Sequence, residues 1–129
     1  MIKKVSILFA IIFLVFLVSC KSTDKNTDIY FGGKIINPKN SHVILYAMEE
    51  VVDTFFLDAN NKFIGKVKKA NEGLYYFSHG NENQHIYLEP GDSLMLRLNT
   101  WDFDESLVFA GKGAERNNIL VDCFLETEK

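Results

Sequence analysis

Between Ile29 and Ala110 the chain falls into short stretches of alternating polarity, each ended by residues that turn a backbone. Successive side chains of a strand point to opposite faces, so an apolar residue at every second position describes a ribbon with one buried side. Ile29, Phe31, Gly33 and Ile35 alternate with Tyr30, Gly32, Lys34 and Ile36. The paired glycines suit a bulge or a sharp coil. Asn37-Pro38-Lys39-Asn40 then turns the chain, because proline presets φ and asparagine tolerates left-handed backbone. His42–Met48 is apolar on both faces and is expected to be a central strand. Glu49-Glu50 breaks it before Val51–Leu57. Asp58-Ala59-Asn60-Asn61 forms a tight turn into Lys62–Lys68, whose lysine-rich side is solvated and edge-like. Leu74–Ser78 and His85–Leu88 flank a hairpin-type loop over His79–Gln84. Glu89-Pro90-Gly91-Asp92 has the type II turn signature. Ser93–Thr100 alternates cleanly, Trp101–Ser106 reads as a loop or a short ragged strand, and Leu107–Ala110 is the last strand. About eight short strands joined by turn clusters predict an all-β fold, an antiparallel sandwich or a partly open barrel. Past Gly111-Lys112-Gly113 the period lengthens. Ala114, Val121, Phe124 and Leu125 fall near one helical face and Asn117 elsewhere, which predicts a short C-terminal helix.

The first twenty residues follow other rules. Lys3 and Lys4 precede Val5–Val18, an apolar run with Ser6 as its one polar member, and Ser19-Cys20 closes it. Such a run is shorter than the roughly 20 residues needed to span a bilayer as a helix. A basic start, an apolar middle and a small residue at the end are the parts of a secretory signal. Leu17-Val18-Ser19-Cys20 resembles the lipobox of bacterial lipoproteins, and the resemblance implies that Cys20 takes a diacylglyceryl group and becomes the new N-terminus. An uncleaved anchor and an ordinary signal with a chance cysteine are the alternatives. Lys21–Asp28 has no apolar residue and reads as a tether with an r.m.s. reach of roughly 15 Å. The expected organisation is therefore a signal peptide and N-terminal signal helix over 1–19, a lipidated cysteine and tether over 20–28, and a β domain over 29–129.

Loss of Lys3 and Lys4 with the leader would take the formal charge from −3 to −5. An acidic body without a basic run argues against a nucleic-acid partner. It also offers no polybasic run in sequence for an anionic membrane surface. A lipid on Cys20 would leave Cys123 as the other cysteine, unable to form an intramolecular disulfide.

Four stretches carry a resemblance to a known family: Gly33–Ile36, Asp53–Phe63, Tyr87–Ser93 and Phe109–Asn118. The segments LEPGDS and GKGAERNN within them are the more specific. Together they resemble the all-β domain of unknown function that precedes the thioredoxin domain in many envelope thiol:disulfide oxidoreductase lipoproteins, over roughly residues 30 to 125. Family members continue into a thioredoxin fold whose C-x-x-C thiols exchange electrons. Neither Cys20 nor Cys123 lies in such a motif, so the resemblance does not carry redox activity to this chain. It leaves a free-standing accessory domain, or the N-terminal part of a truncated or split oxidoreductase. Within the shared motifs, Asp92 is placed to bond turn amides, and Asn117-Asn118 to tie a helix start to the sheet.

Other residues carry groups capable of chemistry. His79 and His85 flank one loop and, with Glu82, offer the atoms for a zinc or copper site, but no ligand motif surrounds them. Asp58–Lys62 opens like a calcium loop, yet Phe63 and Lys69 stand where its glycine and glutamate belong, so a β-turn is expected. Asp102, Asp104 and Glu105 beside Trp101 could serve acid/base work or a sugar platform, and read more simply as a solvated acidic loop. Gly111-Lys112-Gly113 lacks the second half of a phosphate loop and reads as a strand-to-helix junction. Cys123, next to Phe124 and Leu125, is expected to be a small buried apolar group. No catalytic set, metal or cofactor is assigned. The expected function is a lipid-anchored, non-catalytic envelope protein, periplasmic or surface-facing, that meets the membrane through Cys20 and docks or spaces a protein partner. A glycan- or ligand-binding module centred on Trp101 is the alternative from another class.

Overall fold

The computed structural model describes residues 26–129; the expected signal helix and Cys20 lie outside them. Eight strands run β1 (Tyr30–Ile36), β2 (His42–Ala47), β3 (Glu50–Phe56), β4 (Lys62–Lys66), β5 (Gly73–His79), β6 (Glu82–Leu88), β7 (Ser93–Asn99) and β8 (Val108–Lys112). They form two four-stranded sheets, β4-β1-β7-β8 and β3-β2-β5-β6. The architecture is thus an open sandwich and not a closed barrel. As expected, β2 is central and the lysine-rich β4 is an edge. One pair departs from the antiparallel expectation: β1 runs parallel to β7, Tyr30 opposite Ser93 through Ile36 opposite Asn99. The chain leaves the first sheet after β1, returns for β4 and leaves again. It re-enters at β7 beside the strand it began with, where Tyr30 N–H donates to Asp92 O at 2.9 Å.

The alternation predicted over β1 holds, with Phe31 and Ile35 fully buried. Its glycines form no bulge; the irregular register lies in the β2–β3 pair, where Leu45 and Tyr46 face Asp53 and Val51 and leave Val52 as the extra residue. Phe31 stands at the centre of an aromatic cluster, its ring 5.4 Å from Phe63, 5.7 Å from Phe55 and 5.8 Å from Phe77. Rings from both sheets therefore meet in one core, and edge-on contacts of this kind add to simple area burial.

Two expected loops are ordered differently. His79–Gln84 contributes to a long hairpin, in which only Gly80-Asn81 turns and His79 pairs with Glu82. The polar Glu82, Asn83 and Gln84 masked the strand from its composition. Trp101–Ser106 is helical: a 3-10 turn over Thr100–Asp102 leads into the short helix α1 (Phe103–Ser106). Asn99 accepts from Trp101 N–H at 3.1 Å, and the Ser106 hydroxyl donates to Asn99 O at 3.0 Å. These local bonds replace a ladder, and Phe103 turns inward to lie 6.0 Å from Phe77.

The sandwich has two open sides, each with a free strand edge from either sheet. On one side the edges are β3 and β4, consecutive strands joined by the Asp58–Asn61 turn, so the chain itself bridges the sheets. On the other side the edges are β6 and β8. Here the C-terminal helix α2 (Ala114–Thr127) lies across the gap. Asn117 accepts from Tyr87 N–H at 2.7 Å and donates to Tyr87 O at 2.9 Å, while Asn118 does the same for Phe109 at 2.8 and 3.1 Å. Each side-chain amide imitates the peptide group of a missing neighbouring strand. Adjacent helical residues point about 100° apart, which lets consecutive asparagines reach different sheets.

Asn117 was expected off the packed face; it is fully buried on it, one turn before buried Val121. Cys123 was expected to be buried and is exposed. Two residues beyond Val121 is more than half a helical turn, which carries Cys123 away from the sheets. The junction before α2 depends on Asp92. Its carboxylate accepts from Glu89 N–H at 2.8 Å and pairs with the Arg116 guanidinium. Gly91, at φ 86°, makes the predicted type II turn there. Gly113, at φ 100°, passes so close that a Cβ would lie 2.9 Å from Asp92 Oδ2.

Replacing Asn117 by alanine strands a donor and an acceptor of Tyr87, each worth about 1–3 kcal/mol when left unpaired at a buried edge. Asn117→Ala is expected to lower stability by about 2–4 kcal/mol in urea unfolding, and the half-buried Asn118→Ala by about half as much. A loss under about 0.5 kcal/mol for Asn117→Ala would contradict the edge-capping role.

Candidate functional site

With the inner faces given to the core, the chemistry available to a partner lies on the outer faces, and register sorts it. In the first sheet Lys62, Lys34, Arg97 and Val108 stand opposite one another in a row across β4, β1, β7 and β8. The next row is Ile64, Gly32, Met95 and Ala110, and the next Lys66, Tyr30, Ser93 and Lys112. The outer face thus carries five cations in two rows with an apolar row between. No carboxylate lies in any of these four strands. The strands of the second sheet hold Glu50, Asp53 and Glu82 and no lysine or arginine, but these carboxylates stand opposite Ala47, Leu45 and His79, at inward-side positions, so its outer face is uncharged along the strands. Its outer face bears the row Val51, Tyr46, Tyr76 and His85. Tyr46 and Tyr76 stack at 4.6 Å with rings 7° apart, and His85 follows at 5.7 Å.

No polybasic run was visible along the chain, yet folding assembles a basic face from residues spread over Lys34 to Lys112. Lys66 pairs with Asp28 at 3.0 Å. Lys34, Lys62, Arg97 and Lys112 form no ion pair among the described residues. The face is grooved. A depression of about 580 Å³ is lined by Lys34, Lys62, Phe56, Asp58, Ile64 and Met95, and a second of about 500 Å³ by Met95, Arg97, Val108 and Ile36. The Asp58 carboxyl is held below its ordinary range by the backbone N–H groups of Lys62 and Asn60, at 3.0 and 2.8 Å. Both bonds go to Oδ1, which is β-turn chemistry, as expected.

The remaining candidates are not brought together. Cys20 lies outside the described residues. His79 points into the core and is 2% exposed, whereas His85 stands on the outer face, so the sheet separates them. The His79 Nδ1–H donates to His42 O at 2.9 Å, and its Nε2 accepts from Lys39 N–H at 2.9 Å. This neutral tautomer pins the β1–β2 connection to the end of β5, which is a structural role. Among the described residues no three histidine, cysteine or carboxylate groups converge as a metal site would require. Trp101 is 74% exposed and Asp102 exposed beside it. Burial and the neighbouring Glu105, Glu82 and Glu128 push the Asp104 carboxyl above its ordinary value. Gly111-Lys112-Gly113 is the strand-to-helix junction anticipated for it.

Compared with known proteins, the chain matches no family model, no curated protein and no solved structure. The residues that sequence reasoning missed are Lys34, Lys62 and Arg97. Their signal was the absence of acidic residues from one set of strands, which becomes readable only when the sheet partners are known.

Burial lowers the His79 pKa. The unfolded chain therefore takes up a proton near the ordinary value of about 6.5 while the folded protein resists it. The stability contribution is full above that value and is lost as pH falls through it, by up to about 1.4 kcal/mol per unit. Urea midpoints measured from about pH 7.5 to 5 are expected to show this slope, and His79→Gln to flatten it. An unchanged slope in the variant would contradict the assignment.

Proposed function

We propose that this chain is a lipid-anchored protein of the bacterial cell envelope, periplasmic or surface-facing, whose folded part is a non-catalytic docking or spacing module. The observation that carries this reading is the order Lys3-Lys4, apolar Val5–Val18, then Leu17-Val18-Ser19-Cys20 at its end, followed at once by a polar tether. The resemblance of the β domain to domains that precede thioredoxin folds in envelope lipoproteins supports the same compartment. Two broad outer faces, one basic and one lined by tyrosines, on a sandwich with a buried apolar core, support binding over turnover as its work. An acyl chain contributes about 0.8 kcal/mol per buried methylene, and two or more chains are needed to hold a protein firmly.

Cys20→Ala is expected to abolish incorporation of labelled palmitate and to move the protein out of the membrane fraction. Unchanged labelling would contradict the anchor. A second reading, a glycan-binding module, draws on the exposed indole of Trp101, whose flat face can stack on a sugar ring. Binding on a glycan array that Trp101→Ala removes would favour it; an array without signal would count against it.

A further inference from the structure

Resting on the lipid anchor described above, we propose that the outer face of the first sheet docks on the headgroups of anionic phospholipids and lays the domain flat against its membrane. The chain enters this sheet at its basic end. Residues 26–29 lead into Tyr30, which shares a row with Lys66 and Lys112, and Asp28 already contacts Lys66. The row of Lys62, Lys34 and Arg97 lies four residues further along the strands, roughly 13 Å away. The chain thus arrives at this face from the side of Cys20, at its Lys66 and Lys112 end.

Charge and shape agree with that occupant. The protein as a whole is acidic, with a formal charge of −3, so its cations are concentrated where its carboxylates are not. An acidic body would be repelled by an anionic surface in every other orientation, and the field of the basic face selects one. Between the cationic rows, Ile64, Met95 and Ala110 offer an apolar strip with depressions on both sides of Met95. Phosphates can meet the lysines and Arg97 while the glycerol region meets the strip. Arginine adds planar, forked donors suited to a phosphate group. The opposite sheet, with its tyrosine row, then faces away from the bilayer and stays open to a partner.

The lipidated protein, reconstituted in phosphatidylcholine vesicles with or without phosphatidylglycerol, is treated briefly with an amine-acylating reagent and its lysines are read by mass spectrometry. Lys39, on the β1–β2 connection, is the reference. Lys34 and Lys62 are expected to react about fivefold or more slowly in the anionic vesicles, the factor one cation near such a surface contributes. The protection should vanish in the neutral vesicles and at about 1 M salt, where the Debye length is about 3 Å. Lys34→Gln combined with Arg97→Gln should remove it at Lys62; all three side chains are exposed, so the fold is retained. Equal rates in the two vesicle types would overturn the proposal. So would protection by soluble polyglutamate without protection by anionic vesicles, which would assign the face to an acidic polymer. If the purified protein carries no lipid, flotation separates the two claims. Flotation with anionic vesicles alone would support the face while the anchor falls, and flotation with neither would overturn both.

Discussion

Two consecutive side-chain amides hold this sandwich shut. A strand at the edge of a sheet exposes alternating N–H and C=O groups that need partners when they are covered. A helix cannot supply them from its backbone, which is already bonded to itself. Asn117 and Asn118 can, because each amide has a donor and an acceptor spaced like a peptide group. Tyr87 in β6 and Phe109 in β8 are satisfied in this way, one from each sheet. The Asp92–Arg116 pair then fixes where the helix begins relative to the β6–β7 turn. Remove the amides and the covered edges lose their partners, the helix loses its register and Val121 loses its seat on the core.

Closing the sides in this manner leaves both outer faces free. On the opposite side the covalent Asp58 turn performs the same service, so no face of either sheet is spent on covering an edge. In the first sheet the inward positions are apolar or glycine, so every lysine and arginine of its strands points outward and the set becomes a cationic plane. Such a plane on an acidic body gives the molecule a directional field, and direction is what a tethered module needs when it must present one side consistently.

Much of the fold was legible because period-two patterning survives in most of the strands. Phe31 and Ile35, or Leu94, Leu96 and Leu98, announce their buried side without help from tertiary structure. Asn37 and Asn61 lie in left-handed backbone within turns that composition had marked. The misses share a cause, which is polar residues doing structural work. Glu82, Asn83 and Gln84 read as loop although they complete a strand. Periodicity put Asn117 off the apolar face although it is among the most buried residues, because a hydropathy pattern has no means of scoring a satisfied amide; the motif, by contrast, marked Asn117-Asn118 as the tie between helix and sheet that the structure has. Trp101–Ser106 hid a helical turn built from side-chain bonds rather than from periodicity. The basic face was hidden for a different reason. Lys34, Lys62 and Arg97 are far apart in the chain, and their adjacency arises from strand order, above all from the parallel pairing of β1 with β7.

Hydrogen exchange at two backbone amides tests the central claim most directly. Tyr87 and Phe109 sit on outward-facing edges, where an uncovered N–H exchanges readily with solvent. If the asparagine amides hold the edges, both amides exchange slowly, opening only with the global unfolding that releases core amides such as Phe77. Exchange at both positions near the rate of an unstructured peptide, with Phe77 still protected, would show that the helix does not clasp the sheets.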